Sequence, residues 1–149
     1  MLVRQMTPAD VDRAFEIAVM SLGETYLREV FLVFMSGWPA GQLAAVDGLG
    51  EVVGFLSGTR ISRDKAAIQL FAVDPRRRRE GAGGALLEEF RFRAYMEGKR
   101  LVQLEVRESN SEAVSFYSRR GFAPVARLDG FYTDGSRALR MVCPVLRDS

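Results

Sequence analysis

One stretch, residues 68–87, constrains the fold more than any other. Ile68, Leu70 and Ala72 alternate with Gln69, Phe71 and Val73, the two-residue period of a β-strand. Pro75 has no N–H for a ladder and ends that strand. Gly81, Gly83 and Gly84 then remove side chains from a loop that opens a helix, so backbone N–H groups can meet a ligand closely. A helix N-terminus carries free donors and a partial positive charge. Four arginines in a row, Arg76 to Arg79, stand beside it. Strand, tight basic loop and helix mouth together predict a site for a phosphate-bearing cofactor.

Two common phosphate sites are excluded. A P-loop needs Gly-x-x-x-x-Gly-Lys-Ser/Thr, which the chain lacks. A dinucleotide fingerprint needs a third glycine where Leu86 stands. What remains is Arg78-x-x-Gly81-x-Gly83. It resembles the pyrophosphate motif of the GNAT superfamily of N-acetyltransferases, which hold acetyl-CoA. Taken alone, the motif also fits a plain surface loop rich in Arg and Gly.

At 149 residues the chain suits one domain, 1–149, with a proper core. No apolar run is long enough to span a bilayer, and no basic-then-apolar leader precedes the first strand. Cys143 is the single cysteine, so no internal disulfide framework exists and a cytoplasmic protein is expected. Histidine is absent. That removes His-based catalysis and the commonest metal ligand, and no metal is expected. Acid–base work falls to Glu, Asp, Tyr, Cys or Lys. A net charge of +2 is too small to imply nucleic acid.

In chain order, a strand is expected over 2–5. Thr7 and Pro8 open a helix that runs to about Met20. A second helix is expected from about Thr25 to Met35, with Tyr26, Val30, Val33 and Phe34 at helical spacing. Strands over 42–47 and 51–61 flank a Gly48-Leu49-Gly50 turn, and Gly54 and Gly58 mark a bulge or close approach. The helix after Gly83 buries Leu86, Leu87, Phe90 and Ala94. A strand follows over 101–107, then a helix started by Ser109 and Glu112 at capping-box spacing. Strands over 122–128 and 138–146 close as a hairpin pair across a long loop. The order βααβββαβαββ predicts an α/β (α+β) domain: about seven strands, mixed but mostly antiparallel, with helices on both faces. The GNAT resemblance implies the same order.

The second half carries a closer likeness. Leu104-Glu105-Val106-Arg107-Glu108-Ser109-Asn110, Phe116-Tyr117 and Gly121-Phe122 resemble protein N-terminal acetyltransferases of the ribosomal-protein-alanine, NatA-type and archaeal kinds. The resemblance makes Glu105 the base, Tyr117 the acid for the departing thiolate, and Asn110 a CoA contact. It places the backbone of Arg79, Glu80, Gly81, Ala82, Gly83 and Gly84 on the pyrophosphate, with Arg78 in the motif. It sets Phe71, Ala72 and Val73 along the pantetheine arm, with the Val73 amide at the oxyanion. Leu22-Gly23-Glu24-Thr25-Tyr26 resembles the family's acceptor turn, so Glu24 is a second base candidate and Tyr26 an acceptor contact. Phe131 and Tyr132 resemble a tyrosine pair that lies over the acceptor backbone. Purely structural roles stay open: Glu105 as an ion-paired strand residue, Asn110 as a helix cap, Tyr117 as core.

The expected activity is acetyl transfer from acetyl-CoA to the α-amine of a peptide or protein, a ribosomal protein among the acceptors. A lysine side chain or small amine is the alternative acceptor. A CoA-binding module without turnover, and a nucleic-acid module using Arg76 to Arg79, are the readings from other classes. The last lacks a groove-reading helix or aromatic platform beside the arginines.

Overall fold

The computed structural model describes residues 1–22 and 26–146. The elements are β1 (Leu2–Gln5), α1 (Val11–Ser21), α2 (Glu29–Gly37), β2 (Gln42–Val46), β3 (Val52–Arg60), β4 (Lys65–Val73), α3 (Ala82–Met96), β5 (Leu101–Arg107), α4 (Ser111–Ser118), β6 (Ala123–Leu128) and β7 (Ala138–Pro144). The seven strands form one sheet in the order β1-β2-β3-β4-β5-β7-β6. Every neighbouring pair is antiparallel except β4–β5. The expected fold class and element order are therefore observed.

Each face of the sheet carries its own apolar layer. On one side Ile17 of α1 and Phe31 of α2 pack on Phe55, Leu70 and Ala72. On the other, Leu86, Leu87 and Phe90 of α3 pack on Val102, Leu104 and Met141, with α4 beside them. Strand alternation produces this division: Leu70 and Ala72 of β4 and the odd-numbered residues of β5 turn toward the α1/α2 side, while Ala66 and Ile68, across the β3–β4 register shift, turn toward α3. Gly58 sits at the register shift between β3 and β4, as expected of a strand glycine. A Cβ there would come within 2.2 Å of the Phe90 ring.

Local chemistry fixes the first helix. Asp10 Oδ2 accepts from the Thr7 N–H at 2.8 Å, and Arg4 grips the same carboxylate at 2.7 and 3.0 Å. The entry turn, Pro8–Asp10, is a 3₁₀ turn.

Strand ends shift by one or two residues, and the starts of α2, α3 and α4 differ from the sequence reading. α2 begins at Glu29 rather than Thr25, and its buried anchor is Phe31, while Val33 is exposed. α3 begins at Ala82, before Gly83, with Gly81 as its cap residue. α4 is capped by Asn110, whose Oδ1 accepts from the Ala113 N–H at 3.1 Å; Ser109 is not the cap. Among the described residues no helix is long and apolar enough to cross a membrane.

Candidate active site

The parallel pair β4–β5 is brief. Lys65, Ala66 and Ala67 pair with Leu101, Val102 and Gln103, and beyond them the strands are unpaired. A groove of about 430 Å³ lies beyond that short ladder, walled by residues 68–71 of β4 and 104–107 of β5. Ser21, Leu22 and Tyr26 line it from the α1 end, Asn110, Ala113 and Tyr117 from α4, and Phe131 and Tyr132 from the β6–β7 loop.

The wall formed by β4 has an open backbone edge. Asp74 N–H donates to Val53 O on β3 at 2.8 Å. Successive N–H groups of a strand point to opposite edges. Ala72 N–H therefore also turns to β3, while Phe71 and Val73 N–H turn to the side from which β5 has diverged. Ser21 Oγ donates to Val73 O at 3.3 Å, which places the Val73 carbonyl on that same edge. Phe71 itself packs against the rings of Phe116 and Tyr117, centroids 6.3 Å away in each case. Ala72 is buried in the α1/α2 layer.

The mouth of α3 follows directly. Arg79 (φ 68°) and Gly81 (φ 89°) both have left-handed backbone, curling the chain ahead of Ala82. Gly81 meets that requirement without cost and Arg79 does not. Gly83 faces Phe116, and Gly84 leaves room for the Arg120 guanidinium, which stacks 3.7 Å over the Phe116 ring. The four arginines do not act together as the sequence suggested. Arg76 is spent on the buried Asp74, and Arg77 on Asp47 and Glu80. Arg78 and Arg79 are exposed at the helix mouth. The hydrogen-bonded Arg76 guanidinium, helped by Arg13 at 2.6 Å, holds the Asp74 carboxyl far below the usual carboxylate range against the cost of burial.

Glu105 and Arg107 share one face of β5, and both line the groove. Glu105 Oε1 is 3.7 Å from Arg140 Nη2 on β7. Arg107 grips Asp134 at 2.9 and 3.1 Å and lies 4.1 Å from the Tyr132 ring centroid. Ser136, with Arg107, holds the Asp134 carboxyl at about 2, so the clamp on this loop persists through the physiological range. Tyr117 comes from the opposite face of the sheet, packed against Phe116 and Phe122. Burial, with a smaller contribution from Tyr132, pushes its phenol pKa well above the ordinary value of 10. The Tyr117 hydroxyl therefore stays protonated through the physiological range. Glu24 lies outside the described residues.

A model of the acetyltransferase (GNAT) family matches residues 11–122. The chain belongs to this family. Over 157 aligned residues it is 32% identical to an N-alpha-acetyltransferase of Sulfurisphaera tokodaii, covering 96% of this chain and 92% of that one. Ard1 from Thermoplasma volcanium superposes with a TM-score of 0.93 at 38% identity, covering 98% of each chain. The ribosomal protein bS18-alanine N-acetyltransferase of Escherichia coli is 36% identical over 90 residues, 58% of this chain and 61% of that one.

Within this GNAT chain the groove gathers Phe71, Glu105, Asn110, Tyr117, Tyr26, Phe131 and Tyr132. Ala72 and Val73 continue β4 past the groove lining, and residues 78–84 lie at the α3 mouth. Glu80 turns its carboxylate to Arg77, which leaves only its backbone for a ligand. Sequence reading missed Arg107 as the loop clamp, Arg120 beside Gly84, and Arg140 beside Glu105. Arg107 was visible as a polar-face partner of Glu105 at i+2. Arg140 had no sequence signal, because its neighbour is fixed only by the β5–β7 register.

Proposed function

We propose that this N-acetyltransferase moves the acetyl group of acetyl-CoA directly to the α-amine of a peptide or protein N-terminus within a ternary complex. The observation that carries the reading is the short β4–β5 ladder, which leaves the Phe71 and Val73 amides facing a groove that holds both Glu105 and Tyr117. Acetyl-CoA enters on the α3/α4 side. The amides at the α3 mouth and Arg78 or Arg79 meet its phosphates, and its extended arm lies along the open edge of β4. Asn110 has one oxygen committed to its helix, so its amide NH₂ is the part left for the cofactor. The acceptor enters on the α1/α2 side, beneath Tyr26, Phe131 and Tyr132.

The neutral amine attacks the thioester carbonyl, and the Val73 N–H stabilises the oxyanion. Glu105 removes the ammonium proton through water as the C–N bond forms. The C–S bond then breaks with its electron pair going to sulfur, where the Tyr117 hydroxyl donates. An α-amine, with a pKa of about 8, is substantially neutral near pH 7.5; lysine, at about 10.4, is about 0.1% neutral. A groove with one carboxylate base suits the α-amine. The lone, buried Cys143 fits a cytoplasmic site of action, and ribosomal proteins are among the acceptors to screen.

The test is turnover with acetyl-CoA over peptides that differ in their first residues, each paired with an N-terminally blocked copy that keeps a free lysine. Acetylation of the open peptides alone is expected. Acetylation of the blocked copies would instead assign a side-chain acceptor.

A further inference from the structure

Glu105 is held from the neighbouring strand by a contact with two loose ends. Glu105 on β5 and Arg140 on β7 are register partners, so their side chains share one face. Arg140 Nη2 approaches only Oε1, at 3.7 Å, beyond hydrogen-bond length. Glu105 Oε2 and Arg140 Nε are both buried without a hydrogen-bond partner. Buried polar atoms rarely stay unsatisfied, and the usual remedy is an ordered water with two or more partners. Here one orphan is an acceptor and the other a donor. The remaining polar groups around Glu105 are otherwise engaged or uncharged: Arg107 is turned to Asp134 and Tyr132, and Tyr26, Tyr117 and Tyr132 are neutral phenols.

We propose that Arg140 is a positioning residue for the acyl transfer. It holds the Glu105 carboxylate from the neighbouring strand at Oε1 and keeps it aimed at the groove, where a water carries the amine proton to it. The amine gives its proton to this water, the water passes one to the carboxylate, and no other reactant is needed. This inference rests on Glu105 being the base.

The experiment compares R140M, R140K, E105Q and the double variant R140M/E105Q by steady-state kinetics and thermal melting. R140M is expected to lose about tenfold in kcat, the scale of a modestly misplaced catalytic group. Its KM values for peptide and acetyl-CoA should stay within about twofold of wild type, and its melting temperature should be unchanged. R140K should recover part of kcat, because an ammonium still reaches the carboxylate. In the E105Q background R140M should cost nothing further. If E105Q is impaired while R140M keeps wild-type kcat, or if the two losses multiply, Arg140 has no such role and Glu105 remains the base. A lowered melting temperature with no recovery in R140K makes Arg140 structural and also overturns the proposal. Wild-type kcat in E105Q overturns the Glu105 reading itself, and this inference with it.

Discussion

Replacing Tyr117 by Phe removes one hydroxyl and little else. The ring keeps its contacts with Phe71, Phe116 and Phe122, at centroid distances of 6.3, 5.3 and 5.5 Å. The lost interaction is a hydrogen bond to a sulfur that becomes anionic as the C–S bond breaks. A bond to a charged partner contributes about 1.5–3 kcal/mol, and each 1.36 kcal/mol is tenfold in rate. The expected loss in kcat is therefore about 10- to 150-fold. It should not approach the upper range of general acid catalysis, about 10⁴-fold. A thiol ionises near 8.5, whereas burial keeps the Tyr117 phenol protonated well past 10. Full proton transfer to the thiolate is uphill, so Tyr117 acts mainly by donating. The assay follows release of the CoA thiol at saturating peptide and acetyl-CoA, with both KM values and the melting temperature as controls. A kcat within twofold of wild type would refute the role, as would a change confined to the KM for acetyl-CoA. The same variant carries a stability signature. Because the folded phenol titrates higher than the unfolded one, the unfolded chain releases its proton first above pH 10. Wild type should lose stability relative to Y117F as pH rises beyond that point, and the two should show a constant difference below it.

Two stability predictions follow from buried charges. D74N leaves Arg13 and Arg76 without their shared carboxylate; Arg13 keeps Glu16 at 3.2 Å and Glu51 at 3.6 Å, so the cost should be about 2 kcal/mol in urea unfolding rather than the full 3–5 of an abandoned buried charge. Asp74 titrates far below its unfolded value, so wild type should begin to lose this advantage as pH falls below about 4, and the gap to D74N should close only as pH falls on through the depressed folded value. R91M removes a 3% exposed guanidinium that donates to Arg120 O at 2.7 Å and Pro144 O at 2.8 Å, tying the end of α4 to the end of β7. Its loss should cost about 2–4 kcal/mol, since two carbonyls lose their donor, and equal unfolding midpoints for R91M and wild type would sink that account.

Local pattern made the strands legible. β5 has the bounds that alternation sets, because Val102, Leu104 and Val106 on one face are core while Glu105 and Arg107 on the other line the groove. Pro75 and the glycines at 81–84 located the turn from β4 into α3 for a steric reason that needs no neighbour. What stayed hidden depends on partners distant in sequence. Arg77 reads as free charge until the fold brings Asp47 to 3.0 Å. The α4 cap was placed one residue early, since Ser109 and Asn110 are both competent and only the backbone path chooses. α2 reads as starting at Thr25 because its apolar spacing extends upstream; the described helix starts at Glu29. Arg140 was invisible because β7, the last strand, inserts between β5 and β6. No spacing in the sequence gives that register.

The connectivity explains why the groove and the α3 mouth occur together. A hairpin would join β4 to an antiparallel neighbour and carry the ladder to the turn, pairing the Phe71 and Val73 amides. A parallel neighbour requires a crossover, and α3 supplies it. The crossover must begin where β4 ends, so the N-terminus of α3 falls beside the last residues of β4. Ligands of such units bind outside the carboxyl ends of the strands for the same reason. β5 also ends there, and α4 leaves from it, which brings Tyr117 to the groove from one side of the sheet while Glu105 looks out on the other. The sheet is antiparallel at its five other junctions, and those ladders pair five or more residues in four of the five cases and four in the fifth. The β4–β5 junction pairs three. Extending that ladder by four residues, until Phe71 lies opposite Arg107, would consume the Phe71 amide assigned to the cofactor arm, so a variant that does so should fold normally and lose acetyl-CoA affinity.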